Sequence, residues 1–203
     1  AANVALDGGV AFASANVLRN ASGVVQSQAI QQGTLALSGT RASNYSLGWT
    51  NGSGTINPIT LSVTGTTVAG KTYDGNALAI ISANGTVTGY LGTQTLNVTP
   101  VATFVDAALA ANANAGNNKA YSISYRLSDG TLGGLATNYS LANVNVATAN
   151  STIAITPKNL TLTGLVVNDR TYNGLTTGVI ASVGTLSGLV GTETMNLTSG
   201  SSV

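Results

Sequence analysis

The strongest constraint on this chain is that it copies itself. Residues 58–99 read PITLSVTGTTVAGKTYDGNALAIISANGTVTGYLGTQTLNVT, and residues 157–198 read PKNLTLTGLVVNDRTYNGLTTGVIASVGTLSGLVGTETMNLT. The two align without a gap at a separation of 99 residues and are identical at 17 of 42 positions. The shared positions include Pro58/Pro157, Gly65/Gly164, Thr72/Thr171, Tyr73/Tyr172, Gly75/Gly174, Gly85/Gly184, Gly89/Gly188 and Gly92/Gly191. Whatever one copy folds into, the other must fold into as well, so the unit is small and the architecture is modular. A second pair extends the unit. NYSL occurs at 44–47 and at 138–141, and VAFASANVLRNASG (10–23) resembles ATFVDAALAANANAG (102–116), with Phe12 opposite Phe104. The spacing from NYSL to the next Pro differs by five residues between the copies, as a loop would allow.

The phase of the period assigns residues 58–156 to one complete unit of about 95–100 residues. Residues 1–57 are then the later part of a preceding unit, and 157–203 the first part of a following one. A chain that starts and stops in mid-unit is expected to sample a longer tandem array. Its half-units lack the partner strands that would cover their apolar faces, so they are expected to complete a core with a neighbour or to fray.

Local pattern points to strands. ITLSVT (59–64) alternates Ile59, Leu61 and Val63 with Thr60, Ser62 and Thr64, the period of a half-buried strand. LTLTGLVV (160–167), TQTLNVT (93–99), KAYSISYRL (119–127) and STIAIT (151–156) read alike, rich in Thr, Val, Ile and Tyr. YDG at 73–75 and YNG at 172–174 are expected to be tight turns in which Gly supplies positive φ after an Asx residue, and SDG at 128–130 a third. The only helix-compatible stretch is DAALAANANAG (106–116), where Ala favours a helix and Asn112 and Asn114 weaken it. The expected fold class is all-β.

Composition removes most chemistry. The chain has no Cys and no His, seven Lys/Arg and six Asp/Glu, so 6% of residues are charged, against about 25% in an ordinary soluble domain. Disulfides, thiol nucleophiles and thiolate metal sites are excluded, and so are the usual general base and metal ligand. A net charge of +1 offers no field to a nucleic acid. Hydrophobic residues at 43% argue against disorder. No run approaches 18 apolar residues, so no membrane-inserted helix is expected. The opening AANVALDGGV lacks the basic and apolar segments of a signal peptide.

The order of these pieces resembles a known family. KTYDGN (71–76), then GTQTLNV (92–98), ATFVD (102–106), an alternating strand, LSDGTLGGLATNYSL (127–141) and ITPKNLTLT (155–163) follow the layout of YDG repeat domains. The resemblance implies tandem small β-sandwich or β-grasp-like modules. It also implies very large secreted bacterial adhesins resembling filamentous haemagglutinin, hence an extracellular or cell-surface location on a Gram-negative bacterium. Such arrays serve as stalk or spacer, supporting adhesion or biofilm formation. The second copy departs from the signature, with Asn173 for Asp74 and Arg170 for Lys71. A turn accepts either Asx residue, whereas a site needing the carboxylate would be lost. The signature residues Tyr73, Asp74 and Gly75, with Tyr172, Asn173 and Gly174, are therefore expected to form a structural turn.

Sharper chemical readings are weaker. Calcium at Asp74 with Asp106 or Asp129 would need several carboxylates together, and no DxDxDG spacing exists. Six scattered acids supply no acid–base pair, so no enzymatic activity is expected. GTLGG (130–134) lacks the Lys of a phosphate loop. No cofactor is expected. A Lys–Asn isopeptide at Lys71 would be impossible at Arg170 in the next copy. Nine N-x-S/T sequons fit a secreted chain rich in Asn, Ser and Thr. Trp49 has no counterpart in the other copy and, with GWTNGSG (48–54), is the candidate contact residue. The expected partners are neighbouring repeats of the same or an adjacent chain. The alternatives are a module binding host or cell-surface glycans, or a self-assembling filament or sheath.

Overall fold

The computed structural model describes residues 3–197 and is built of strands, with three single-turn 3-10 helices and no α-helix among them. The first 57 residues carry β1 (Ala5–Asp7), β2 (Ala11–Phe12), β3 (Gln28–Gln31), β4 (Ala36–Ser38) and β5 (Gly52–Gly54). β1 pairs antiparallel with β4, and β3 lies between β2 and β5 in a small antiparallel sheet. The next stretch carries β6 (Ile59–Ala69), β7 (Lys71–Thr72), β8 (Leu78–Thr88), β9 (Leu96–Phe104), β10 (Tyr121–Asp129), β11 (Tyr139–Leu141), β12 (Val144–Val146) and β13 (Ile155–Thr156). Six of these form one sheet in the order β11-β6-β8-β9-β10-β12. It is mixed: β11 runs parallel to β6, with Tyr139 opposite Ile59 and Leu141 opposite Leu61, while β12 is antiparallel to β10. β13 and β7 form a separate parallel pair. The last stretch carries β14 (Thr161–Thr163), β15 (Val166–Val167), β16 (Ile180–Ser182) and β17 (Thr185–Ser187), paired β14 with β17 and β15 with β16.

The chain divides into two compact units, residues 1–64, 85–99 and 125–142 in the first, and 65–84, 100–124 and 143–203 in the second. The core of the first unit is Leu61, Leu96 and Tyr139, with Val87, Tyr90, Val98, Leu127 and Leu141 against it. The alternation read in ITLSVT puts it there: Leu61 is buried and its neighbours Thr60 and Ser62 face solvent. In the second unit the most deeply buried large side chains are Phe104, Ile123 and Ile155. Among the described residues no helix is long and apolar enough to cross a membrane.

The two aligned segments share backbone geometry. The glycines one period apart have φ of 76° and 72° at Gly65/Gly164, 80° and 72° at Gly75/Gly174, 77° and 75° at Gly85/Gly184, 101° and 103° at Gly89/Gly188, and 56° and 57° at Gly92/Gly191. β14 and β17 pair with Leu162 opposite Leu186, one period after the neighbouring strands β6 and β8. The long strands of the first copy are broken in the second, since LTLTGLVV gives only β14 and β15 on either side of Gly164. Apolar side chains are exposed in both flanking stretches, among them Leu6, Val10 and Val24, and Leu165, Val167 and Val179. Among residues 157–197 none is fully buried.

The one helix-compatible stretch resolves as turns, and two local expectations need correction. Residues 106–116 form no helix. The Asp106 carboxylate accepts the backbone N–H groups of Ala108 and Ala110, and Leu109 has φ 62°, so the side chain supplies a turn that competes with helix. STIAIT yields only the two-residue β13, preceded by a 3-10 turn at 148–150. At SDG the positive φ falls on Leu132 and Gly133, not on Gly130. Gly130 and Gly134 serve close approach instead: a Cβ there would lie 2.1 and 1.9 Å from the Thr95 carbonyl oxygen.

Candidate functional site

The signature turn is built by short-range polar bonds. β7 is held by its parallel pairing to β13, with Lys71 N–H donating to the Ala154 carbonyl and Tyr73 N–H to that of Thr156. The chain then turns at Gly75, where the Asp74 carboxylate accepts the Asn76 N–H at 3.1 Å. The Lys71 ammonium closes the turn, donating to Asp74 Oδ1 at 2.7 Å and to the Asn76 carbonyl and side-chain oxygen, each at 2.8 Å. Its bond from Lys71, backed by the Asn76 N–H, holds the Asp74 carboxyl below the usual carboxylate range. An ionised Asp74 beside an ammonium is the reverse of what amide-bond formation between Lys71 and Asn76 requires, a neutral amine beside a protonated acid.

The second copy keeps this design with different residues. Arg170 donates to Asn173 Oδ1 and to the Leu175 carbonyl, and Leu175 N–H donates to Asn173 Oδ1 at 3.1 Å. A cation one residue before Thr-Tyr, an Asx acceptor and the carbonyl two residues after it recur, while the acid becomes an amide. The turn therefore needs an oxygen at this position and not a charge. Asp106 and Asp129 spend their carboxylates on their own loops, Asp129 accepting the Ala136 N–H at 2.7 Å. Among the described residues no three His, Cys, Asp or Glu side chains come together as a metal site would need.

The two signature tyrosines have different surroundings. The Tyr73 hydroxyl donates to the Glu193 carboxylate, at the edge of a cavity of about 330 Å³ lined also by Pro157, Lys158, Leu160 and Val190. The bond to Glu193, some loss of hydration, and the charges of Glu193 and Asp74 raise the Tyr73 phenol above its ordinary value. Gly75 lies against this wall, since a Cβ there would sit 3.0 Å from Val190 Cγ1. Tyr172 is 92% exposed. Trp49 is half-buried, and its indole N–H donates to Asn51 within its own loop at 2.6 Å.

A second polar cluster went unread in the sequence. Tyr139 is 2% exposed, and its hydroxyl donates to Gln94 Oε1 at 2.6 Å and accepts the Leu91 N–H at 3.1 Å. Its ring meets Tyr90 edge-on, with centroids 5.9 Å apart. Asn138 Oδ1 accepts the Val17 N–H, and its amide donates to Asn16. Arg19 donates to the carbonyls of Thr137 and Tyr139. NYSL is thus where residues 16–19 are fastened. The recurrence of NYSL and the equivalence of Gln94 with Glu193 were the available signals.

No curated protein and no solved structure matches the chain. The family comparison does, and its span takes in the signature turn, the Gln94 loop and NYSL: residues 57–149 are a YDG domain.

Proposed function

We propose that this chain is a load-bearing spacer, a run of YDG modules in the stalk of a large bacterial cell-surface adhesin of filamentous-haemagglutinin type. On this reading it acts outside the cell, catalyses nothing, and has neighbouring repeats as its principal partners. The observation that carries it is the reuse of the same turns in two sequences. Five glycine pairs keep their φ across 99 residues, and the signature turn survives the exchange of Lys71 and Asp74 for Arg170 and Asn173. Selection for a reactive group would preserve the carboxylate; selection for shape preserves what is seen. Scarce charge and no His leave almost nothing to titrate near neutral pH, as suits an inert material.

Length is the property to test. Extra copies of residues 58–156 inserted after residue 156 should lengthen the particle by a constant increment per copy in small-angle X-ray scattering. A maximum dimension that rises as the cube root of mass would instead mean globular collapse, and the spacer reading would fall.

A further inference from the structure

The repeat places two cavities at corresponding positions. One holds Tyr73 against Glu193, with Lys158 and Val190 beside it. The other, of about 280 Å³, is lined by Ile59, Leu91 and Gln94, which stand one period before Lys158, Val190 and Glu193. In the first cavity a signature tyrosine from outside the copy reaches the acceptor. In the second, Gln94 Oε1 takes a hydrogen bond from its own module's Tyr139, and an amide oxygen has a second lone pair to offer. The same chain carries an unused counterpart: Tyr172 stands on a formed turn and is almost wholly exposed.

We propose that the Gln94 cavity is a docking site for the Tyr172 turn of a second copy of this chain. The occupant is argued from the Tyr73–Glu193 bond, which shows a signature tyrosine seated at the corresponding place within one chain. The joint uses two different surfaces, so it is heterologous. Each added copy presents a new cavity and a new tyrosine, so association continues past the dimer, into an open filament or, where the rotation closes, a ring. Tyr172 contributes its hydroxyl and ring, and Leu91 and Ile59 the apolar wall. The equivalence of the cavities rests on the repeat reading above, but the docking itself is measured separately from length.

Sedimentation velocity of the 203-residue chain over a concentration series tests it. Tyr172→Ala removes the tyrosine and Leu91→Asp blocks the cavity; both residues are exposed, and circular dichroism checks that each variant folds. The wild type should grow in mass without stopping at a dimer. Each variant alone should stay monomeric, and an equimolar mixture of the two should stop at a one-to-one dimer, because only one cavity and one tyrosine remain. Gln94→Glu, which copies the charged acceptor at Glu193, should move wild-type association to about tenfold lower concentration at neutral pH. Tyr45→Ala, at a tyrosine outside the joint, should change nothing. A monomeric wild type, association that ignores both variants, or a mixture that stays monomeric would each overturn the proposal. Linear growth on repeat insertion without association would sink the docking and leave the spacer standing; association without linear growth would do the opposite.

Discussion

Tyr139 and Tyr45 occupy the same place in NYSL, so the same substitution at each isolates the effect of burial. Tyr139→Phe deletes a hydroxyl that is both donor to Gln94 and acceptor from Leu91, in a side chain 2% exposed. Each bond contributes about 1 kcal/mol net, and a part-buried Leu91 N–H left without a partner costs about 1 kcal/mol or more. The sum is about 2–3 kcal/mol. Tyr45 is 65% exposed, and Tyr45→Phe should cost under about 0.5 kcal/mol. Trp49, the sole tryptophan, lies in the same compact unit as both tyrosines and reports on its unfolding. Urea unfolding followed by Trp49 fluorescence should show the midpoint of Tyr139→Phe lowered by about 1 M with an unchanged slope, and that of Tyr45→Phe unmoved. Equal shifts for the two would refute the assignment of Tyr139 as the polar anchor of the core.

Other outcomes follow from the turns. Because the Asp74 carboxyl is held low, its contribution is present above the ordinary carboxylate pKa and is lost as pH falls through its folded value. Asp74→Asn, copying Asn173, should keep the turn and remove that acid step from the Asn76 amide shift in an NMR titration. The Tyr73 phenol is raised, so the clasp to Glu193 is complete below the ordinary phenol pKa and fails as pH climbs through the raised one. Tyr73→Phe should delete one high-pH phenolate transition from the ultraviolet titration. Gly134→Ala drives a Cβ to 1.9 Å from the Thr95 carbonyl and should lower the thermal midpoint by several degrees, whereas Gly48→Ala, with nothing within 4 Å, should leave it within about a degree.

What the sequence made legible was whatever depends on neighbours along the chain. Alternation in ITLSVT placed Leu61 inward, and the paired glycines marked the left-handed positions at Gly75 and Gly174. The exchange of Asp74 for Asn173 argued for a turn, and the bonds from Lys71 and Arg170 give that turn its physical form. Legibility failed where distant residues decide. Nothing within 128–134 says that Gly130 and Gly134 are there to admit the backbone of Thr95, and Ala-rich propensity at 106–116 said nothing of the competing Asp106 side chain. Tyr139 and Gln94 are 45 residues apart, so their bond could be reached only by noticing that the acceptor recurs as Glu193 and asking what it accepts.

The parallel pairing of β11 with β6 has a consequence for a chain under tension. β6 begins the YDG domain and β11 lies near its end, and the two point the same way. Tension drawing the start of β6 backward and the end of β11 forward runs along the strand axis, across the evenly spaced, slanted bonds joining them. Those bonds then slide in shear and must rupture together, instead of unzipping one at a time as at a hairpin pulled from its open end. The parallel β7–β13 pair meets the same geometry behind the signature turn. Resistance to pulling is thus set by strand direction, and it costs the chain neither a disulfide nor a larger core.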